Sequence, residues 1–208
     1  MANYQLNKNI CFPSSVYTVK RDDFLEDVKR ISEKYMIQYD KYVHMSSNFY
    51  NDPDVSEFAT SILHVSWKIL KDQGYYMENK ETYFTEMWAQ KHYKYSLMEQ
   101  HTHKYGSQIV GFYFLETPKD CSNLLLHDPR PAKMIIGLDE VDEKQATEAS
   151  DIVHFVPEPG LMIFTNGWLP HSFSRHENEM PIKFIHFNVG VSTIENINTY
   201  NAPLAEVI

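Results

Sequence analysis

The chain has 208 residues with a formal net charge of −9, and hydrophobic residues make up 43% of it. This length is enough for one domain with a sizeable core, so we expect a single domain over residues 1–208. The acidic balance argues against nucleic acid as the main partner, because phosphate binding needs a basic surface. The N-terminus lacks the apolar run of a signal peptide, and no apolar stretch reaches membrane-spanning length, so we expect a cytoplasmic protein.

Two helices are predicted in the first half of the chain. Residues 22–36 and residues 54–71 both place apolar side chains at helical spacing along one face. Gly74 follows the second pattern at a position typical of a helix end. We therefore predict a helical support that covers about residues 22–73.

The periodicity changes to that of strands from about residue 83. Short runs such as SQIVGFYFLE, LMIFT and IKFIHFNVGV are separated by turn sequences such as DPRP, EPG and NG. Many short strands after a helical start predict a mainly β sandwich or barrel, with the helices packed on one side. The β core should extend over about residues 83–191, and the acidic stretch 138–150 is expected to be an exposed loop.

The stretch HTHKYGSQIVGFYFLE begins with two histidines, His101 and His103, directly before a strand-like run. Alternate residues of a strand point to the same face, so the two imidazoles should project together. Neutral imidazoles side by side favour a metal ion, which still needs a third ligand from another strand. A single histidine in an aromatic-rich strand is more often a packed core or surface residue, and we assign no role to the remaining ones.

The candidate third ligand is His171 in PEPGLMIFTNGWLPHSF. It follows an apolar strand and a turn at Asn166-Gly167, and Pro170 restricts the backbone immediately before it. Such a restraint suits a residue whose position must be fixed. We therefore predict that His101, His103 and His171 bind one divalent metal.

The order of HTH, GFYFLE, LLLHDPRP, VPEPGLMIFTNGWLPHSF and KFIHFNV resembles the iron(II)/2-oxoglutarate-dependent oxygenases. The resemblance is to a subgroup found in bacteria and their large phages, and it covers about residues 88–189. It implies a double-stranded β-helix, also called a jelly roll or cupin-like fold, with the metal near one open end. It further implies iron(II) as the metal, 2-oxoglutarate and molecular oxygen as cosubstrates, and an unidentified substrate that is most often hydroxylated.

The chain departs from the usual iron site of this family, in which a carboxylate stands two residues after the first histidine. Position 103 is histidine instead. Glu99, two residues before His101, is an alternative third ligand if a carboxylate is required. A set of three histidines also suits zinc, so the choice of metal stays open.

The resemblance also implies a cation that binds the far carboxylate of 2-oxoglutarate, usually an arginine about a dozen residues after the distal histidine. Lys183 is twelve residues after His171, but an ungapped match places the arginine at Ile182. A shift of one residue reverses the facing of a strand side chain unless a bulge restores it. Arg175 is the second choice for this anchor, and Tyr113 could add a hydroxyl group.

Two other functions fit the same residues less well. A cupin-type metalloenzyme or metal-dependent binding module could use the H-x-H pair without 2-oxoglutarate. A non-catalytic jelly roll that binds glycans would need no metal at all. Metal content together with 2-oxoglutarate turnover separates the three hypotheses.

Overall fold

The computed structural model describes residues 5–38 and 40–194, and most of its regular structure is β. Two α-helices lie in the first half, α1 (Leu25–Lys34) and α2 (Ser56–Asp72). The strands are β1 (Tyr17–Lys20), β2 (Met36–Gln38), β3 (Val43–Ser46), β4 (Lys80–His92), β5 (Met98–His101), β6 (Ile109–Glu116), β7 (Leu124–His127), β8 (Ile152–Phe155), β9 (Leu161–Asn166), β10 (His171–Phe173) and β11 (Ile182–Thr193).

The strands form two antiparallel sheets. The large sheet has the order β1-β9-β6-β11-β4-β3-β2, and the small sheet has the order β5-β10-β7-β8. From β4 to β11 the chain passes repeatedly between the two sheets, so neighbours within a sheet are distant in sequence. This is the double-stranded β-helix with N-terminal helices that the sequence predicts, and the prediction is confirmed.

The two helices cover the outer face of the large sheet. Both were predicted, and each begins within three residues of the expected position because a short 3₁₀ turn precedes it. Val28 of α1 and Phe58 of α2 are buried against Met87, Ile185 and Phe187 of the sheet. The apolar stripe of each helix therefore forms one core with the outward-facing residues of β4 and β11.

Three strands, β1, β2 and β3, were not predicted from the sequence. These strands have three or four residues each and extend the large sheet, β1 beside β9 and β3 beside β4. A segment of this length is too short to show a clear alternation of apolar and polar residues. No helix in the described part of the chain is long and apolar enough to cross a membrane.

A second core lies between the two sheets and is rich in aromatic rings. Phe112, Phe114, Phe173 and Phe184 are each at most 2% exposed. The rings of Phe173 and Phe184 stack with their centres 4.8 Å apart. Because strand residues alternate between faces, β11 directs Phe184 and His186 into this interior while Ile185 and Phe187 face the helices.

Candidate metal centre

Three histidines meet at one end of the interior. His101, His103 and His171 each offer a ring nitrogen, and these nitrogens lie within 4.8 Å of one another. His171 is fully buried, whereas His101 and His103 are partly exposed. The group is therefore open to solvent on one side.

The backbone of two strands and one turn positions these rings. His101 is the last residue of β5 and pairs with His171, the first residue of β10. His103 lies beyond the end of β5, and its backbone N–H donates to the carbonyl of Gly167 at 2.9 Å. The two histidines were expected on a single strand. Instead, His101 ends β5 and His103 lies in the turn that follows, which is hydrogen-bonded to the turn that precedes His171.

Backbone carbonyls orient two of the three imidazoles. Nδ1 of His101 lies 2.8 Å from the carbonyl oxygen of Glu99, and Nδ1 of His171 lies 3.0 Å from that of Leu169. Because a carbonyl only accepts, each Nδ1 carries the proton and each Nε2 keeps its lone pair. Nε2 of His171 and Nε2 of His103 are 3.2 Å apart, so the lone pairs are gathered at one point. Such partners on the other ring nitrogen are typical of metal-binding histidines.

Burial keeps the inner histidines neutral. Burial first, and then the neighbouring His171 and His101, lower the pKa of His103 to about 3. Burial likewise lowers the pKa of His171 to about 4. Neutral imidazole is the form that binds a metal ion, so the electrostatic environment suits metal binding at neutral pH.

The donor set fits one divalent metal ion. Metal–nitrogen bonds to histidine are about 2.0–2.1 Å long, and three such nitrogens need only small side-chain rotations to reach one ion. Within residues 5–38 and 40–194 no carboxylate joins the group. Glu99 is exposed, because β5 has one residue more than β10 between the pairs Met98–Phe173 and His101–His171. This bulge turns Glu99 away from the face of His101, contrary to the expectation that they share a face.

The residues predicted to anchor 2-oxoglutarate lie elsewhere. Nζ of Lys183 donates to Oε1 of Glu33 on α1 at 2.5 Å, and the lysine side chain is buried on the helix side of the large sheet. The hydroxyl of Tyr113 donates to the carbonyl of Arg21 at 2.7 Å on the same side. Both side chains therefore point away from the histidines. The ladder between β11 and β6 shifts register between Lys183 and Phe184, yet Lys183 stays on the helix side, so the structure places neither side chain at the histidines.

Arg175, the second choice, lies over the ring of Tyr95, with its guanidinium carbon 4.7 Å from the ring centre. Ile182, where the resemblance implies an arginine, belongs to the interior core and is fully buried. Among the described residues the three predicted anchors thus form no group with the histidines. The chain has an aliphatic side chain where a cation was expected.

A row of polar residues beside the three clustered histidines was not predicted from the sequence. His186 on β11 is 1% exposed, and its ring centre lies 5.1 Å from that of His103 and 4.4 Å from that of Trp88 on β4. Gln90 and His92 follow on the inward face of β4 and are also buried. The available signal was the alternation of Phe184, His186 and Asn188 in KFIHFN, which places the histidine on the same face as the aromatic core.

A cavity of about 1060 Å³ lies beside the small sheet, and none of the three histidines is among its lining residues. Its wall includes Leu126, which pairs with His171, and Leu169, whose carbonyl accepts from His171. Charged side chains of Lys8, Arg130 and Asp151 stand around it. The cavity combines an apolar wall near the histidines with a charged border.

Comparison with known proteins identifies the relatives of this chain. Residues 86–188 match the family described as "Putative 2OG-Fe(II) oxygenase". No curated protein matches the chain significantly. The matched segment contains all three histidines, the whole of β5 to β10, and about half of each of β4 and β11.

Several solved structures share the fold. An oxidoreductase of the 2OG-Fe(II) oxygenase family from Burkholderia pseudomallei is 11% identical with a TM-score of 0.56, covering 80% of this chain and 77% of its own. HygX from Streptomyces hygroscopicus, solved with nickel and 2-oxoglutarate, is 10% identical with a TM-score of 0.56, covering 85% and 83%. A prolyl-4-hydroxylase from Pseudomonas putida is 7% identical with a TM-score of 0.57, covering 84% and 92%. At these identities the likeness establishes the fold alone.

Proposed function

We propose a function from one premise: the chain belongs to the 2OG-Fe(II) oxygenase family. The members of this family are oxidoreductases that use iron(II) and 2-oxoglutarate. We propose that His101, His103 and His171 bind the iron and that the chain hydroxylates an unidentified substrate. The observation that carries this proposal is the convergence of three imidazole nitrogens within 4.8 Å at the open end of the fold.

The side chains of the site would prepare the metal for this chemistry. The carbonyls of Glu99 and Leu169 hold two rings so that each Nε2 lone pair points to the ion. Burial keeps His103 and His171 neutral, so no proton competes with the metal near neutral pH. Bound iron with three protein ligands would keep open positions for 2-oxoglutarate and oxygen.

The cavity beside the small sheet offers a location for the substrate, because Leu126 and Leu169 of its lining are backbone neighbours of His171. Leu126 and Leu169 give it an apolar wall next to the metal ligands, and Lys8, Arg130 and Asp151 provide charges farther out. We propose that the substrate lies here, with the carbon to be oxidised toward His171. A substrate with an apolar portion and charged groups would match this lining.

The test is iron-dependent conversion of 2-oxoglutarate to succinate. Protein freed of metal is reloaded with iron(II) without oxygen, then mixed with 2-oxoglutarate and oxygen, and succinate is measured with and without mixtures of candidate substrates. We expect succinate only with iron(II), and more of it with a true substrate. Stoichiometric metal without any succinate would favour a cupin-type protein, and purified protein that binds no metal would favour a non-catalytic binding module.

A further inference from the structure

The interior beside the histidines contains polar atoms that have no partner. Within the described part of the chain, Nε1 of Trp88, Nε2 of His186, Oδ1 of Asn188 and Oγ1 of Thr165 are buried and unpaired. All four side chains face the interior on two adjacent rows of the large sheet, next to the metal-binding histidines. A buried polar atom without a partner costs roughly 1–3 kcal/mol, so a cluster of them points to a bound molecule that supplies partners.

Hydrogen bonding along β4 indicates which nitrogen of His186 carries the proton. Nε2 of Gln90 lies 3.5 Å from Nδ1 of His186, and Oε1 of Gln90 lies 2.8 Å from Nε2 of His92. An amide nitrogen only donates, so Nδ1 of His186 is the acceptor and Nε2 carries the hydrogen. With Nδ1 accepting from Gln90 and the single ring hydrogen on Nε2, His186 is in its neutral form. His186 thus offers one N–H donor, and Trp88 offers another from a ring 4.4 Å away.

The same interior holds no cation in the described part of the chain. Lys183 is paired with Glu33 behind the sheet, Arg175 lies on Tyr95, and position 182 is isoleucine. Farther from the histidines, Phe114, Phe173 and Phe184 fill the space between the sheets. A carboxylate that enters from the metal can meet the donors of Trp88 and His186 but finds no ammonium or guanidinium group.

We propose, on the basis of the proposed function, that the neutral N–H groups of Trp88 and His186 bind the far carboxylate of 2-oxoglutarate in place of a cation. Two N–H donors on adjacent strands match the two oxygens of one carboxylate. These residues therefore select a 2-oxo acid that carries a second carboxylate. They act through hydrogen bonds alone, without an ion pair.

The test measures binding of two 2-oxo acids to the nickel-loaded protein by calorimetry, so that turnover does not interfere. 2-Oxoglutarate carries the far carboxylate, and 2-oxobutanoate lacks it but keeps the part that chelates metal. Trp88→Phe and His186→Phe remove the N–H groups and retain an aromatic ring. We expect each variant to weaken 2-oxoglutarate binding roughly tenfold or more, with unchanged 2-oxobutanoate and nickel binding.

Two variants serve as controls. Trp67→Phe also loses an indole N–H, but that group donates to the carbonyl of Lys80 on the helix side. Lys183→Gln removes the lysine that was predicted from the sequence to bind the far carboxylate of 2-oxoglutarate. Both should bind 2-oxoglutarate as the parent does.

The possible outcomes separate the two proposals. If the nickel-loaded parent binds neither 2-oxo acid, the proposed function fails and this inference fails with it. If the parent binds 2-oxoglutarate but both phenylalanine variants bind it equally well, or Lys183→Gln abolishes binding, only the inference is overturned. Equal weakening of both 2-oxo acids would also overturn it, since that result assigns Trp88 and His186 to packing. The two ligands are compared on one protein sample, so a partly unfolded variant affects both equally.

Discussion

The two faces of the large sheet use the same strands for different purposes. On the face toward the helices, Ile185 and Phe187 pack in an apolar core, and the buried ammonium group of Lys183 is paired with Glu33. On the face toward the small sheet, Phe184 and His186 line an interior that ends at His101, His103 and His171. On the first face, the buried charge of Lys183 is therefore neutralised by a carboxylate of the same chain. The second leaves several polar atoms without partners.

This difference shows that the role of a residue on β11 depends on the face of the sheet that its side chain occupies, and not on its distance in sequence from His171. Lys183 and His186 are three residues apart and therefore lie on opposite faces. Lys183 pairs with Glu33 of α1 and thereby links the helix to the sheet, whereas His186 contacts His103. The predictions below test this division, beginning with the change that should have the largest effect.

Replacing His171 with alanine should abolish stoichiometric metal binding and leave the fold intact. His171 supplies one of only three nitrogens, and its ring is fixed by Leu169 at 3.0 Å. Loss of a ligand should lower nickel affinity by roughly a hundredfold or more. Calorimetry measures the affinity and circular dichroism checks the fold. Full metal retention in His171→Ala would refute the assignment.

The identity of the third ligand is tested by a pair of variants. His103→Ala should lose the metal, because His103 contributes a nitrogen to the group and lies 3.2 Å from Nε2 of His171. Glu99→Ala should keep the metal, because only the backbone carbonyl of Glu99 contacts His101. The reverse pattern, with metal lost in Glu99→Ala alone, would show that a carboxylate completes the site.

The metal-free protein should lose stability as the pH falls from 6.5 toward 4. Burial, and then the neighbouring His176, lower the pKa of His92 to about 4, whereas an unfolded histidine titrates near 6.5. Between these values the unfolded chain binds more protons, so acid favours unfolding. For His92 alone the loss is of the order of 3 kcal/mol.

Denaturant unfolding at several pH values, with a chelator present, measures this effect. His92→Leu should reduce the slope of stability against pH, and His64→Gln, at an exposed position, should leave it as in the parent. An unchanged slope in His92→Leu would show that His92 binds its proton equally well in the folded and unfolded chain, which would contradict the prediction.

The sequence predicted the fold because its signals were local and repeated. The helices followed from apolar spacing, and the strands from alternation between turn sequences. His101, His103 and His171 were proposed as metal ligands because the first two are separated by one residue and the third follows a proline, and the structure brings the three together. Short edge strands such as β2 were missed, since three residues carry no periodicity.

Other features of the site could not be predicted, because they depend on the pairing of strands and the packing of helices that are distant in sequence. The bulge in β5 turns Glu99 outward, and it exists because β5 must pair with a shorter segment of β10. Trp88 and His186 become neighbours only when β4 and β11 pair, because the two residues are almost a hundred positions apart in the sequence. Lys183 was assigned to the site by its distance from His171, but its partner on α1 is known only from the packing of the helix on the sheet.

The smallest predicted effect concerns that ion pair. Lys183 is 1% exposed, while the partner Glu33 is about half exposed at 52%. Glu33→Ala leaves a buried ammonium without its carboxylate and should lower the free energy of unfolding by roughly 1–3 kcal/mol. Lys183→Met replaces the buried charge with an apolar chain of similar length and should change stability by less than about 1 kcal/mol. Both variants should bind 2-oxoglutarate like the parent, because neither side chain faces the interior. Thermal or denaturant unfolding measures the first difference and calorimetry the second. If Lys183→Met weakened 2-oxoglutarate binding while Glu33→Ala did not, the lysine would have to reach the interior, and the division between the two faces of β11 would be wrong.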